Sequence, residues 1–366
     1  MRLRHALEWP ADGDDAVLVV GAGALGAEVV DLLVHSGVRR IHVVDPDRVS
    51  ESTVAHSLAA RPADIGRYKV DCLADLYERG QASTHITPWR MLFEVFPEGV
   101  LRECSLVLGC VDSVRSRLRV SQACLFSGVP YLDGGLSDWG AGVSFFTPAV
   151  RGPCFRCVVS EAEVAEEAAR FSCSDDENPA AATLSVQSTA AIAAGTMVQE
   201  ALKLRAALPD AMTGGQHIGY SVRDVGFLHS WSPADPECAL PHQPISVVQV
   251  ETAATSAPEV THGIASRLGI SDDIAVLWPG AWAYCPDCAF ESDPVEVRHD
   301  TARSLTVLCC ADCSHSRSVA LDDISGLPAW HATARSALDR RRLSVIGRAG
   351  TLAQHVILYI SDPLSP

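Results

Sequence analysis

Short apolar runs alternate with segments of helical periodicity through the first two thirds of the chain. The run AVLVVGA (16–22) predicts a buried parallel strand, and ALGAEVVDLLVHSG (24–37) predicts a helix that stops at Gly37. Further strands are predicted at 41–45, near 84–88, and at 105–112, 129–135 and 143–149, with helices near 69–79, 117–128 and 184–204. Because β and α units alternate, we expect an α/β fold with a doubly wound sheet that binds its ligand at the carboxyl ends of the strands.

The pattern changes after the helix at 184–204. Residues 216–233 predict one or two strands, and the proline-punctuated segment 233–244 predicts a boundary. We therefore expect two domains, a nucleotide-binding domain over 1–245 and a smaller α+β appendix over 246–366. The appendix is predicted to hold short strands, a helix near 257–268 and a closing strand at VILYI (356–360).

Composition excludes several classes of function. The 366 residues carry a formal charge of −16, which argues against nucleic acid as a partner because phosphate recognition needs clustered Lys and Arg. No apolar run reaches 18 residues, so no membrane segment is predicted, and the first 15 residues lack a signal-peptide core, which predicts a cytoplasmic protein. In that reducing compartment the 13 cysteines favour metal or thiol chemistry over disulfides.

A glycine-rich turn follows the first predicted strand. GAGALG contains Gly21, Gly23 and Gly26, a spacing that lets phosphate approach backbone N–H groups at a helix N-terminus. Asp45 comes 24 residues after Gly21, about where a Rossmann-like fold places the carboxylate that binds a ribose. These features favour a nucleotide site over a structural glycine turn, but leave open whether the nucleotide is NAD, as in a dehydrogenase, or another one.

Five motifs in order narrow the choice. GAGALG, VVDPDRVSEST, DIGRYKV, VLGCVDSVRSR and GPCFRC together resemble the ThiF/MoeB/HesA family, bacterial relatives of the ubiquitin-activating enzymes, over roughly residues 10–245. The resemblance implies an adenylyltransferase that binds ATP and Mg²⁺ and adenylates the C-terminal carboxylate of a small ubiquitin-like protein or peptide. It also implies a homodimer. A dehydrogenase would leave GPCFRC and IGRYKV without a role.

The resemblance assigns roles to individual residues. Asp45 matches the acid that binds the ATP ribose, and Asp47 completes the same D-x-D motif. Lys69 matches the lysine that faces the ATP phosphates, and Asp112 matches the acid that helps hold Mg²⁺ and the reacting phosphate. Arg117 matches an arginine that commonly follows that acid. The structural alternatives are a solvated surface Lys69 and an Asp112 that caps the next helix.

The loop after Asp47 departs from the family. Where the family has Asn and Arg on the ATP phosphates, this chain has Thr53 and His56, which lack the paired amide and the guanidinium fork. Arg61 and Arg67 are candidate substitutes. The departure supports a second hypothesis, in which the fold is a scaffold that has lost efficient ATP chemistry and binds a leader or precursor peptide for a partner enzyme.

Two groups of cysteines predict zinc. GPCFRC supplies Cys154 and Cys157, which match a structural zinc knuckle of the family, and the nearest further ligands are Cys238 and His242. The appendix contains two further C-x-x-C knuckles with 21 residues between them, typical of a structural zinc ribbon, formed by Cys285, Cys288, Cys310 and Cys313. Cys309 or His315 is an alternative ligand there. Buried thiols without metal are the alternative for the first group.

One more cysteine is a catalytic candidate. Cys173 lies between the first knuckle and the helix at 184–204, in the segment where the resembled family places cysteines that accept the activated acyl group. Three acidic residues follow it at 175–177 and should raise its pKa, which favours an ordinary loop cysteine as the alternative.

Overall fold

The computed structural model describes the chain in segments. These are residues 16–78, 84–93, 96, 98–137, 140–148, 152–160, 162–163, 187–221, 223, 226–238, 240, 242, 244, 247–252, 266, 275–278, 295–300, 305–310, 316–319, 342–349 and 352–360. They fall into two compact units, one within Met1–Phe93 and Arg102–Pro244 and the other within Glu94–Leu101 and Ile245–Pro366.

The first unit is built on a mixed sheet. Within the described residues it has eight strands in the order β3-β2-β1-β4-β5-β6-β7-β8. The first five strands are parallel, and β5 to β8 form an antiparallel meander. The strands are β1 (Ala16–Val20), β2 (Arg40–Val44), β3 (His85–Trp89), β4 (Cys104–Gly109), β5 (Tyr131–Ser137), β6 (Gly140–Phe146), β7 (Gln216–Ser221) and β8 (Gly226–Trp231). The two-strand alternative for residues 216–233 is therefore confirmed.

Helices connect and cover these strands. In the described part of the chain they are α1 (Ala24–His35), α2 (Glu51–His56), α3 (Lys69–Glu78), α5 (Val114–Ser127), α6 (Phe155–Val158) and α7 (Gln187–Arg205), with a 3₁₀ turn at Pro62–Asp64. The short helix α4 (Glu98–Leu101) lies between β3 and β4 in the sequence but belongs to the second unit. Helix α5 has well-defined ends, because the Ser113 hydroxyl accepts from the Ser116 N–H at 3.0 Å and Gly128 adopts φ +78°. The helices predicted near 69–79, 117–128 and 184–204 correspond to α3, α5 and α7.

The core lies on both sides of the central strand. Every residue of β1 is at most 2% exposed, which requires cover on both faces of the sheet. Helices α1 and α7 pack against each other, and α7 also contacts β5 and β6. The buried apolar face of α7 is formed by Ala190, Ala193, Ala194, Met197, Val198, Ala201 and Leu202. From residue 187 on, the interrupted apolar run predicted at 184–204 is thus a helix with a buried face.

One strand was predicted too long. β4 ends at Gly109, three residues before the expected end at Asp112, because the chain leaves the sheet after the N–H of Cys110 donates to the Val20 carbonyl at 2.7 Å. Residues 110–112 form a loop instead. No described helix is both long and apolar enough to cross a bilayer.

A partly buried histidine lies in the parallel part of the sheet. His42 on β2 accepts a hydrogen bond from the indole Nε1 of Trp89 on β3 at 3.2 Å. Burial, together with the nearby Arg40 and His85, lowers the pKa of His42 to about 4. The ring is therefore neutral at pH 7.

The second unit is described mainly by its strands. They form a sheet in the order β13-β12-β11-β10-β14-β15-β9. The strands are β9 (Val247–Thr252), β10 (Ala275–Trp278), β11 (Val295–Asp300), β12 (Leu305–Cys310), β13 (Ser316–Val319), β14 (Arg342–Ala349) and β15 (Leu352–Ile360). The closing strand predicted at 356–360 lies in β15. The helix predicted near 257–268 lies outside the described residues apart from Ser266.

Candidate functional site

The glycine loop joins β1 to α1 with almost no free space inside it. Gly21 adopts φ +99°, and a Cβ there would lie 2.5 Å from the Cys110 carbonyl oxygen, so the loop after β4 packs directly against it. A Cβ on Gly26 would overlap the carbonyl oxygen of Gly21. A Cβ on Gly23 would meet no protein atom within 4 Å, which leaves the N-terminus of α1 open to a phosphate.

Asp45 follows β2 and is tied to the glycine loop. Its Oδ2 accepts from the Ala22 N–H at 2.6 Å and its Oδ1 from the Asp47 N–H at 2.7 Å. The residue is 7% exposed, and burial raises the pKa of Asp45, while these hydrogen bonds and the charge of Lys69 lower it. Each oxygen keeps a lone pair, so the carboxylate can still accept from a ribose hydroxyl.

Lys69 starts α3 and reaches back to the same loop. Its Nζ lies 2.7 Å from Asp47 Oδ2, and its backbone N–H donates to the Asp47 carbonyl at 3.0 Å. The Lys69 side chain is 17% exposed and that of Asp47 is 62% exposed. The alternative of a fully solvated surface lysine does not hold, because an ion pair positions the ammonium beside Asp45.

Asp112 lies in the loop after β4. It is exposed and has no hydrogen bond or ion pair with another described residue. It does not cap α5, because Ser113 holds that position and accepts from the Ser116 N–H. Since β4 and β2 flank β1, the loops that carry Asp112, Gly23 and Asp45 meet at the carboxyl edge of the parallel strands.

The loop that departs from the family forms a short helix, α2. Ser50 and Thr53 make a reciprocal capping box, with the Thr53 N–H donating to the Ser50 hydroxyl and the Ser50 N–H donating to the Thr53 hydroxyl, both at 3.2 Å. His56 Nδ1 lies 2.9 Å from the Ser52 carbonyl oxygen. The Thr53 hydroxyl thus has a structural partner, while the Nε2 edge of the exposed His56 is left for a ligand.

Arg67 is bound by two carboxylates. Its Nη1 lies 2.8 Å from Asp64 and its Nη2 lies 2.5 Å from Asp75. Arg61 is exposed, and its backbone N–H donates to Asp64 at 3.1 Å. Arg67, one of the two candidate substitutes for the family arginine, is therefore held by Asp64 and Asp75.

A buried polar network lies beside Asp112 and was missed by the sequence analysis. The Tyr131 hydroxyl donates to Asp133 Oδ1 at 2.5 Å, and Arg117 Nη1 donates to Asp133 Oδ2 at 3.2 Å. Arg117 Nη2 donates to the carbonyls of Val111 and Gly134, both at 3.4 Å. Burial raises the pKa of Asp133, and Arg117 opposes that rise. The available signal was an acid inside the apolar run VPYLDGG.

Asp133 also belongs to a row of polar residues across three strands. It pairs in register with Ser144 on β6, which pairs with His217 on β7. The Ser144 hydroxyl and His217 Nδ1 are 2.9 Å apart, and burial lowers the pKa of His217, opposed by the charge of Asp133. The row lies level with Gly109, the last residue of β4, at the carboxyl edge of the parallel strands.

The first predicted metal site is assembled. Its four residues, called here the Cys154 cluster, are Cys154, Cys157, Cys238 and His242, and their ligand atoms all lie within 4.8 Å of one another. Cys154 Sγ is 3.7 Å from Cys157 Sγ, 3.8 Å from Cys238 Sγ and 3.5 Å from His242 Nε2. Residues 84 positions apart in the sequence thus meet at one point.

The separations from Cys154 match the edges of a tetrahedral zinc site, while the 3.2 Å between Cys157 Sγ and His242 Nε2 is somewhat shorter than such an edge. With Zn–S bonds of about 2.3 Å and a Zn–N bond of about 2.0 Å, the edges of a tetrahedron are about 3.8 Å between sulfurs and about 3.5 Å between sulfur and nitrogen. Cys154 is 1% exposed, and without a metal burial raises its pKa to about 12. His242 adopts φ +49°, a strained conformation for a residue other than glycine.

Several predicted site residues are not described. Cys173, Cys285, Cys288, Cys313 and His315 lie outside the described residues. Cys309 and Cys310 end β12, and only their backbone is described. Cys110, within the CVDS motif, is partly buried, and burial together with the charge of Asp133 raises its pKa, which disfavours the reactive thiolate.

A glycine loop, paired acids and a lysine at the carboxyl edge of a mixed sheet are typical of nucleotide-binding proteins. The chain belongs to the ThiF family, whose model matches residues 13–234. It is 30% identical over 146 residues to the molybdopterin-synthase adenylyltransferase of Escherichia coli, covering 40% of this chain and 59% of that protein. It is 31% identical over 144 residues to the mouse adenylyltransferase and sulfurtransferase MOCS3, covering 39% of this chain and 31% of that protein.

A solved structure has the same fold. Escherichia coli MccB, crystallised with succinimide, matches with a TM-score of 0.53 and 14% identity, covering 65% of this chain and 68% of that chain. The chain spans less than two thirds of either curated relative.

Proposed function

We propose that the protein is an ATP-dependent adenylyltransferase, a nucleotidyltransferase that activates the C-terminal carboxylate of a small ubiquitin-like protein or peptide. The observation that carries this proposal is the convergence of the glycine loop, Asp45, the Lys69–Asp47 pair and Asp112 at one edge of the sheet in a ThiF-family chain. Relatives named adenylyltransferases support the activity.

Each residue has a role that its surroundings permit. Asp45 binds the ribose, and the open N-terminus of α1 at Gly23 receives phosphate oxygens. Lys69 neutralises charge on the phosphates as a carboxylate oxygen of the substrate bonds to the α-phosphorus and the bond to pyrophosphate breaks. Asp112 and Asp47 are oxygen ligands suited to Mg²⁺, which when bound screens the phosphate charge. Because the Asp47 side chain is 62% exposed, it has room to turn from Lys69 to a bound cation.

The alternative function rests on α2. Because the Thr53 hydroxyl serves a capping box and His56 stands where the family has arginine, the phosphate clamp is weaker than the family pattern. In that case the fold is a scaffold that binds a leader or precursor peptide for a partner enzyme. The adenylyltransferase proposal includes a homodimer, in which the partner subunit supplies the positive charge that the family arginine would provide.

Zinc completes both proposals as a structural element. The Cys154 cluster has three thiolates and one imidazole, a donor set that fills four positions and leaves none open for catalysis. We propose a second structural zinc in a ribbon formed by Cys285, Cys288, Cys310 and Cys313. Cys173 remains our candidate acceptor of the activated acyl group.

Pyrophosphate exchange separates the two functions. Labelled pyrophosphate should enter ATP only when a suitable C-terminal Gly-Gly protein, or a peptide encoded beside the gene, is present. Asp112→Ala should abolish the exchange. Asp210→Ala serves as the matched control, because Asp210 is exposed in the loop after α7 and its side chain has no hydrogen bond to a described residue of the nucleotide site. Tight peptide binding without any exchange in the wild-type protein would favour the scaffold.

A further inference from the structure

A chain of three side chains connects the buried centre of β5 to the backbone beside Asp112. Tyr131 holds one oxygen of Asp133, Arg117 holds the other, and the far side of the guanidinium holds the Val111 carbonyl. That carbonyl belongs to the peptide bond whose nitrogen is in Asp112. A hydrogen bond to it restrains the rotation of this peptide group, and so the direction in which Asp112 leaves the backbone.

Two glycines provide the space that these three side chains occupy. A Cβ on Gly135 would lie 2.8 Å from Arg117 Nη1, and a Cβ on Gly109 would overlap the Tyr131 hydroxyl. Asp133 and Tyr131 are 3% and 1% exposed, so a charged group and its partners are kept dry beneath a loop. Burying a charged group is costly unless its hydrogen bonds are well formed. A buried ion pair with such hydrogen bonds can fix one local conformation.

We infer that Arg117, held by Asp133 and Tyr131, is a positioning residue that aims the Asp112 carboxylate. The inference deepens the proposed function, in which Asp112 holds Mg²⁺. Asp112 itself has no side-chain partner among the described residues, so the Arg117 contact is a restraint applied to its backbone. Arg117 does not touch the nucleotide in this role, because its Nη atoms are occupied by Asp133 and by the two carbonyls.

Two conservative substitutions weaken this set of contacts while keeping most of the side-chain volume. Arg117→Lys keeps the charge near Asp133 but loses the planar fork that reaches the Val111 carbonyl. Tyr131→Phe removes one hydroxyl and keeps the ring. Glu200→Gln is the matched control, since Glu200 is 5% exposed and pairs with Lys203 at 2.6 Å, with no hydrogen bond to a described residue of the nucleotide site.

The first test needs no substrate. The Cys110 N–H, which donates to the Val20 carbonyl at the start of this loop, is the amide that reports on loop opening. Its hydrogen–deuterium exchange, read from a peptide covering residues 110–113, should become about tenfold faster in Arg117→Lys, because the loop opens more often once it loses one hydrogen bond to a charged group. Tyr131→Phe should give a smaller increase, and Glu200→Gln none. An exchange rate in Arg117→Lys equal to that of the control would overturn the inference, whatever the protein's activity.

The second test uses the proposed reaction. The Mg²⁺ concentration for half-maximal pyrophosphate exchange should rise about tenfold in Arg117→Lys, with the rate at saturating Mg²⁺ changed less than about threefold. A uniform loss of rate with unchanged Mg²⁺ dependence would mean that Arg117 only stabilises the fold. Absence of exchange in the wild-type protein would remove the proposed function, and the deuterium result would then decide the positioning role alone. Thermal melting of each variant verifies that it is folded.

Discussion

Replacing Cys154 with serine tests whether the Cys154 cluster binds a structural metal. A metal held by this cluster connects the knuckle at Cys154 to Cys238, 84 positions later. Cross-linking residues at that separation removes about 15 cal/mol/K of entropy from the unfolded chain, equivalent to about 4.6 kcal/mol at 25 °C. We expect Cys154→Ser to lower the free energy of unfolding of the first unit by about 4 kcal/mol, and zinc content to fall by about one ion per chain.

The assay is urea unfolding followed by far-UV circular dichroism, with and without a chelator. For a unit of this size, with a slope near 2 kcal/mol per molar urea, the expected loss moves the midpoint by about 2 M. Chelation of the wild-type protein should give nearly the same shift, and chelation of the variant should give none. Equal midpoint shifts would show that the stability is lost with the metal ion and not with the cysteine side chain itself.

Cys124→Ser controls for the substitution itself. Cys124 on α5 is 1% exposed and lies outside the Cys154 cluster, so serine there buries a hydroxyl without removing a proposed ligand. Its cost should be about 1 kcal/mol with unchanged zinc content. The reasoning fails if Cys154→Ser and Cys124→Ser lose the same stability, or if wild-type protein is as stable after chelation as before.

Four further substitutions test the nucleotide site and the sheet. Gly26→Ala should lower both the melting temperature and the affinity for ATP, because its Cβ overlaps the Gly21 carbonyl; Gly23→Ala, which meets no protein atom, should weaken only ATP binding, as measured by calorimetry. Lys69→Met should slow pyrophosphate exchange by about 100-fold, the effect of removing one group that stabilises developing charge, with melting temperature as the check on folding. The pKa of His42 lies near 4 in the folded protein, below the unfolded value of 6.5, so between these pH values the unfolded chain binds more protons. The free energy of unfolding is therefore unaffected by His42 above pH 6.5 and decreases as the pH falls toward 4. The decrease is about 2 kcal/mol at pH 5. Urea unfolding of His42→Gln should lack that part of the acid dependence.

Local patterns in the sequence were sufficient for most of the first unit. The parallel strands and α1, α3, α5 and α7 follow from apolar periodicity with glycine and serine at their ends. The sequence predicted the Cys154 cluster from the C-x-x-C knuckle and from the next Cys and His along the chain. The structure brings these four residues together. The Ser50–Thr53 capping box of α2 was not predicted, because Thr53 was interpreted only by comparison with the family's phosphate-binding residue.

The polar network beneath Asp112 could not be predicted in the same way. Arg117 and Asp133 are 16 positions apart, on a helix and a strand whose pairing depends on how the sheet closes. No local periodicity encodes that contact. The end of β4 was misjudged for a related reason, because Cys110–Asp112 continue an apolar run but turn away over Gly21.

The register of the meander has a consequence for how this protein can change over generations. Asp133, Ser144 and His217 share a face only because β5, β6 and β7 pair in one register. Side chains alternate between faces, so gaining or losing a single residue within β6 would move Ser144 to the opposite face and break the row. Insertions tolerated here should therefore be confined to the connections between strands, where lineages can lengthen the protein without disturbing the buried acid.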